Sequence, residues 1–229
     1  MVSSTAVIHI VDDDASVRDS LSRLLGVLGF EVRQYGSAGE FLLVWPIDAP
    51  GCVLLDVNMP GPSGMDLQLA LTRRADAPPV VFITGYGDIP MSVLAIRRGA
   101  IDFLTKPVDR EALLAAVRTA LARDAERRDG NRRQQEVRER FETLTPREKT
   151  VFEQIVIGRL NKQIATSLGA CERTVKAHRA HVMEKMHAHS VAELVHHAVY
   201  LKLDSSVLPA ASAAQLMTPP RASGREAVA

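Results

Sequence analysis

Three things are scarce in this 229-residue chain, and each scarcity removes a class of protein. Cysteine is the first. Only Cys52 and Cys171 occur, 119 positions apart, which excludes a disulfide framework and forms no metal-ligand spacing. Both are expected as buried small hydrophobes in a reducing compartment. Long apolar runs are the second. No run approaches the ~18 residues of a membrane span. Residues 1–5 carry no basic side chain and residues 6–11 are interrupted by His9, so no secretory signal is expected and the cytoplasm, away from membranes, is the expected location. Net charge is the third. Lys and Arg number 28 against 27 Asp and Glu, and the balance of +1 looks indifferent to nucleic acid. What is present is ordinary: 46% hydrophobic residues, 24% charged, mean hydropathy +0.01, as in a globular protein. At about 100 to 200 residues per domain, the length suits one large domain or two modest ones.

Counted by segment, the charge is less bland. Residues 1–122 hold 10 basic and 14 acidic side chains, and residues 143–204 hold 9 and 6. Between them, residues 123–142 carry 7 basic and 6 acidic groups, with Val137 and Phe141 the only large apolar residues. That segment reads as a solvated, charge-laced helical linker that Gly130-Asn131 breaks or bends, the alternative being one continuous helix over 109–142. Residues 205–229, rich in Pro, Ala and Ser, lack periodicity and read as a disordered tail.

In the first segment, apolar runs at 6–11, 52–55 and 80–83 alternate with amphipathic stretches, the pattern of a parallel sheet with crossover helices. Val17, Leu21, Leu24, Leu25 and Leu28 form one stripe on a helix that Asp14 caps and Gly29 ends. Further strands are expected at 31–35 and 102–104, and helices after Ser37, over 64–73 and over 88–98. Five strands and five helices make a doubly wound α/β sheet.

Function in such a sheet collects beyond the carboxyl ends of the strands. Asp12 and Asp13 close the first strand, Asp56 the third and Thr84 the fourth, and Lys106 follows the fifth. Three carboxylates brought together repel, and a magnesium ion bound by carboxylates, a backbone carbonyl and water is the economical way to hold them. With the ion neutralising phosphoryl oxygens, one carboxylate can attack phosphorus and form an acyl phosphate. Lys106 would pair with the phosphoryl group and Thr84 would donate its hydroxyl to it. Taken singly, each residue has a plainer reading as a helix cap, turn or surface residue; the ordered set carries the functional one.

Val11-Asp12-Asp13-Asp14, Leu55-Asp56-Val57-Asn58-Met59-Pro60, Thr84-Gly85-Tyr86-Gly87 and Gly99-Ala100-Ile101-Asp102-Phe103-Leu104-Thr105-Lys106-Pro107 resemble the receiver domain of bacterial response regulators, over residues 6 to about 122. The resemblance implies a flavodoxin-like strand order 2-1-3-4-5 and Asp56 as phosphoacceptor. It also implies a magnesium pocket of Asp12, Asp13, Asp56 and the Asn58 carbonyl, a Thr84 and Phe103 switch, and a cis Lys106-Pro107 peptide.

In the second segment Thr145-Pro146-Arg147-Glu148 is a capping box that starts a helix. Val151, Ile155 and Val156 give its apolar face. Asn161 opens a second helix with Ile164, Ala165 and Leu168 inward, stopped by Gly169. A third runs over 172–186 with Val175, Val182 and Met186 buried. Helix, tight turn, helix is a geometry that can enter a DNA major groove, although a plain bundle shares it. Leu144-Thr145-Pro146-Arg147-Glu148, Asn161-Lys162-Gln163-Ile164-Ala165 and Arg173-Thr174-Val175-Lys176-Ala177-His178 resemble the LuxR-type helix-turn-helix domain, over 143–204. Both halves together resemble response regulators of the NarL/FixJ class, nearest the FixJ-like branch.

That resemblance makes Asn161, Lys162, Thr174 and Arg179 phosphate-facing candidates, while Lys176, Ala177 and Ala180 face the groove beside His178. Ala177 and Ala180 can offer only apolar contact, as to a thymine methyl. Cys171 stands where the family usually has a capping Ser. Six of seven histidines lie between 178 and 197, with no acidic or cysteine partner visible to complete a ligand set. Leu194, Val195, Ala198 and Leu201 line the last helix, which in the family resembles a dimerisation helix.

The expected function is a phosphorylation-switched, non-enzymatic transcription regulator. Its partners are a sensor histidine kinase, double-stranded DNA, RNA polymerase and a second copy of the chain. Two rivals stand beside it: a magnesium-dependent aspartyl-phosphate phosphatase, because Asp12-x-Asp14 mimics a first-strand nucleophile motif, and a phosphorylation-independent DNA-binding regulator.

Overall fold

The computed structural model describes residues 6–45, 49–74, 76–85 and 89–202. Tyr86, Gly87 and the expected tail at 205–229 lie outside them. The chain divides into two compact units at Asp129 and Gly130.

The first unit is a five-stranded parallel sheet of β1 (Val7–Val11), β2 (Glu31–Tyr35), β3 (Gly51–Asp56), β4 (Val80–Thr84) and β5 (Asp102–Thr105). Their order is β2-β1-β3-β4-β5, as the resemblance implies. The three central strands are buried at every position, because helices cover both faces. Side-chain alternation divides the core. Ile8, Ile10, Leu54, Val81 and Ile83 pack with α1 (Ala15–Val27) and α5 (Arg110–Glu142), the latter contributing Leu113, Ala116, Val117 and Ala120. Val11, Val53, Leu55 and Phe82 face α2 (Ala38–Val44), α3 (Gly64–Thr72) and α4 (Ile89–Arg97). Asp14 caps α1, accepting from the Ser16 and Val17 amides, and Gly29 follows at φ +87°.

Two expectations about the charged segment are overturned. Helix α5 continues through Gly130, where a Cβ would meet nothing, and its helix-forming neighbours outweigh the ~1 kcal/mol that glycine costs. Nor is the segment solvated throughout. Asp124 is buried, accepting from the Gly51 amide at 3.0 Å while pairing with Arg127 and Arg128.

The second unit is helical: the end of α5, then α6 (Pro146–Val156), α7 (Asn161–Leu168), α8 (Glu172–Lys185) and α9 (Val191–Tyr200). The Thr145–Glu148 capping box forms in both directions. Phe152, Ile155, Ile164, Val175, Val182, Met186, Leu194 and Ala198 make the core, joined by Val137, and Phe141 packs edge-on against Phe152 at 5.3 Å. Gly169 adopts φ +62° to end α7 and turn the chain into α8. Cys52 is buried as expected, but Cys171 is exposed at the start of α8. No helix among the described residues is long and apolar enough to cross a membrane.

Candidate functional site

The carboxyl ends of β1, β3 and β4 and the segment after β5 bring Asp12, Asp56, Thr84 and Lys106 to one edge of the sheet. Asp12, Asp56 and Thr84 are buried. Lys106 reaches between the carboxylates, its Nζ donating to Asp12 Oδ2 at 2.6 Å and Asp56 Oδ1 at 2.8 Å. The remaining oxygens are also held: the Asp14 amide donates to Asp12 Oδ1 at 2.9 Å, and the Asn58 amide to Asp56 Oδ2 at 2.7 Å. The Lys106 amide donates to the Thr84 carbonyl at 2.7 Å, tying β5's exit to β4, and the Lys106-Pro107 peptide is cis.

Burial pushes the Asp56 carboxyl above its ordinary range; the Lys106 hydrogen bond and charge oppose that shift, and the Asp12 charge adds to it. Burial disfavours the Lys106 charge, but hydrogen bonds and attraction from both carboxylates outweigh it and raise the ammonium's pKa. Asp13 and Asn58 are exposed at the rim. Asp13 does not join a tight carboxylate cluster: among the described residues, the only three ligating groups within 4.8 Å of one another lie in the helical unit. A lysine thus occupies the position between Asp12 and Asp56 where repulsion suggested an ion. The donor set remains all-oxygen and suits a hard cation such as magnesium. Phe103 is half-buried, its ring 6.0 Å from that of Phe82.

Sequence reading missed Gly64. It opens α3 so near β3 that a Cβ there would stand 2.0 Å from the Asp56 carbonyl oxygen, so only glycine lets the helix start beside the acid. The signal available was the glycine itself, eight residues after Asp56 in an otherwise well-capped helix start.

In the helical unit, α8 packs on α6 and α7 and exposes Thr174, Lys176, Ala177 and Ala180, with Lys162 exposed on α7. Asn161, His178 and Arg179 are half-buried. These are the candidate groove and phosphate residues, and the apolar face of α8 leaves them outward. Cys171 gives α8 no side-chain cap; instead its Sγ lies 3.1 Å from the Thr174 hydroxyl, which holds the thiol below its ordinary pKa. The largest departure concerns Glu148. Beyond its capping role it is buried, accepts from Lys185 Nζ at 2.7 Å and stands 3.5 Å from His181 Nδ1. The Lys185 hydrogen bond, then those from Thr145, depress its pKa to about 2. The histidines do have an acidic partner, 30 residues before His178.

Residues 8–118 match the response regulator receiver domain, and residues 142–198 match the bacterial regulatory proteins of the luxR family. The chain is 46% identical over 193 residues to Nodulation protein W of Bradyrhizobium diazoefficiens, spanning 84% of this chain and 85% of that protein. It is 46% identical over 189 residues to transcriptional regulatory protein FixJ of Azorhizobium caulinodans, spanning 82% and 89%. Among solved structures, response regulator StyR matches with a TM-score of 0.74 at 45% identity, over 85% of this chain and 98% of that one. The chain belongs to the two-component response regulators of the NarL/FixJ class, in which a receiver domain precedes a LuxR-type DNA-binding domain that regulates transcription.

Proposed function

We propose that Asp56 accepts a phosphoryl group from a sensor histidine kinase and that the resulting acyl phosphate promotes pairing of two chains on DNA. The observation that carries this is the shared ammonium: Asp56 and Asp12 meet at Lys106, so a buried carboxylate already has a cation beside it. Asp56 Oδ attacks phosphorus as the phosphorus–nitrogen bond to the kinase histidine breaks, and the imidazole leaves with its electron pair and takes a proton. Lys106 then pairs with the phosphoryl oxygens, and the Thr84 hydroxyl donates to one of them. Asp12, Asp13, Asp56 and the Asn58 carbonyl would hold magnesium, which when bound neutralises phosphoryl charge. Rearrangement at Thr84 and inward movement of the Phe103 ring would carry the signal to the surface that pairs.

On that reading the receiver occupies 1–122, a linker 123–142 and the DNA-binding domain 143–204. Helix α8 enters a major groove, with Lys176 donating to base edges and Ala177 and Ala180 making apolar contact beside His178. Asn161, Lys162, Thr174 and Arg179 meet phosphates. Pairing converts the second head's contact into an intramolecular one, so weak receiver association produces a large change in occupancy. RNA polymerase is the downstream partner and the cytoplasm the location. The capping role of Asp14 disfavours the phosphatase alternative, since it engages the second carboxylate of that motif. The decisive experiment measures operator binding with and without a small-molecule phosphodonor and magnesium. Wild type should tighten by at least about tenfold and Asp56→Ala should not respond; identical affinities for both proteins in both conditions would refute the proposal.

A further inference from the structure

We infer that Glu148, His178 and His181 form a binding site for a borderline divalent ion of the zinc type within the helical unit. The three residues come from two elements: Glu148 from the first turn of α6, and the histidines from α8, three residues apart and so on one face of that helix. Their ligand atoms all lie within 4.8 Å of one another, and His181 Nδ1 is already 3.5 Å from Glu148 Oε1. Around a tetrahedral ion with ligands at about 2.0 to 2.2 Å, neighbouring ligand atoms stand roughly 3.3 Å apart. Closing the remaining gap requires only side-chain rotation by His181, which is exposed, and His178, which is half-buried.

The carboxylate is prepared for this role. Its Oε2 is fixed by the Thr145 amide at 2.9 Å and Lys185 Nζ at 2.7 Å, leaving Oε1 as the oxygen beside His181. Outer hydrogen bonds of this kind hold a ligating carboxylate in place and set which oxygen faces the ion. Two neutral imidazoles and one carboxylate suit zinc, cobalt, nickel or copper rather than magnesium or calcium, and three protein ligands leave a position for water. The Lys185 ammonium on the far oxygen opposes the added charge, so the site should bind reversibly. Occupancy would clasp α8 to α6. The site itself stands without the DNA-binding reading; only one consequence, withdrawal of His178 from the groove-facing surface, depends on it.

The test uses the full-length protein with cobalt(II) as probe and zinc as competitor, in excess magnesium so that the acidic pocket of the receiver is occupied. Wild type should show saturable visible absorption at one equivalent, displaced by zinc. His178→Ala and His181→Ala, both on solvent-accessible side chains, should each weaken binding by about tenfold or more. Glu148→Gln should do the same, since its carboxamide can keep the capping box, while His187→Ala should bind like wild type. Circular dichroism confirms helical content in each. Absence of saturable cobalt or zinc uptake by wild type, or equal uptake by the His178 and His181 variants, overturns the inference.

Discussion

Asp56 in the sheet unit and Glu148 in the helical unit look alike: each is a buried carboxylate bonded to a lysine, at 2.8 Å and 2.7 Å. Their acidities nevertheless move in opposite directions, Asp56 above its ordinary range and Glu148 down to about 2. Desolvation is the larger influence on Asp56, and its lysine is shared with a second carboxylate, Asp12. Both carboxylates accept from a backbone amide, but Glu148 has Lys185 without a competing acid. The difference teaches that a lysine contact does not by itself make a carboxylate inert. What counts first is how far the site desolvates the carboxylate, and next whether a second negative group shares the cation.

His9 extends the contrast and carries the largest expected effect. It is buried on β1 with Nδ1 3.0 Å from the Tyr35 hydroxyl, and burial followed by the Arg33 charge lowers its pKa from 6.5 to about 4. Below pH 6.5 the unfolded chain takes up a proton that the folded chain refuses. Stability of the sheet unit should therefore fall as pH drops from 6.5 to about 4 and level off below, by about 3 kcal/mol. Amide exchange of β1 and β2 across that range checks this. A His9→Phe variant that keeps the same pH slope would break it.

Substituting the two carboxylates should give opposite signs. Glu148→Gln is expected to destabilise the helical unit by about 2 kcal/mol, because Lys185 loses its anionic partner. The wild-type contribution is fully present above pH 4.5 and is lost as pH falls toward 2. Asp56→Asn should stabilise the sheet unit by about 1 kcal/mol at neutral pH, since the charged form of a carboxyl with a raised pKa opposes folding there. Amide exchange read unit by unit separates the two effects, and shifts of the same sign would collapse the comparison.

The smallest effect sharpens it. Gly130→Ala should stabilise the helix by roughly 0.5 to 1 kcal/mol without altering either pH dependence, because the added methyl meets open space. A change in pH profile, measured by thermal unfolding at several pH values, would mean that backbone propensity rather than charge sharing controls the two units.

Much of this molecule was legible in its sequence, for identifiable reasons. Strands buried on both faces must be continuously apolar, so β1, β3 and β4 stood out, and the polar residues ending them pointed to Asp12, Asp56 and Thr84, with Lys106 following the shorter β5. Local rules also found the Thr145–Glu148 capping box and the apolar stripe of α8. The same rules hid what Glu148 does at longer range, since nothing in Thr145-Pro146-Arg147-Glu148 announces Lys185, 37 residues on. Gly130 misled because a single glycine was weighed against local propensity instead of a 33-residue helix. Cys171 misled because its expected burial was a compositional average, and the start of α8 faces outward.

Asp124 also bears on how the chain is made. The Gly51 amide at the head of the central strand finds its acceptor 73 residues later, on the final helix of the sheet unit. During synthesis every strand will have left the ribosome before that carboxylate arrives, and the middle of the sheet is completed by the last element of its own unit to be translated.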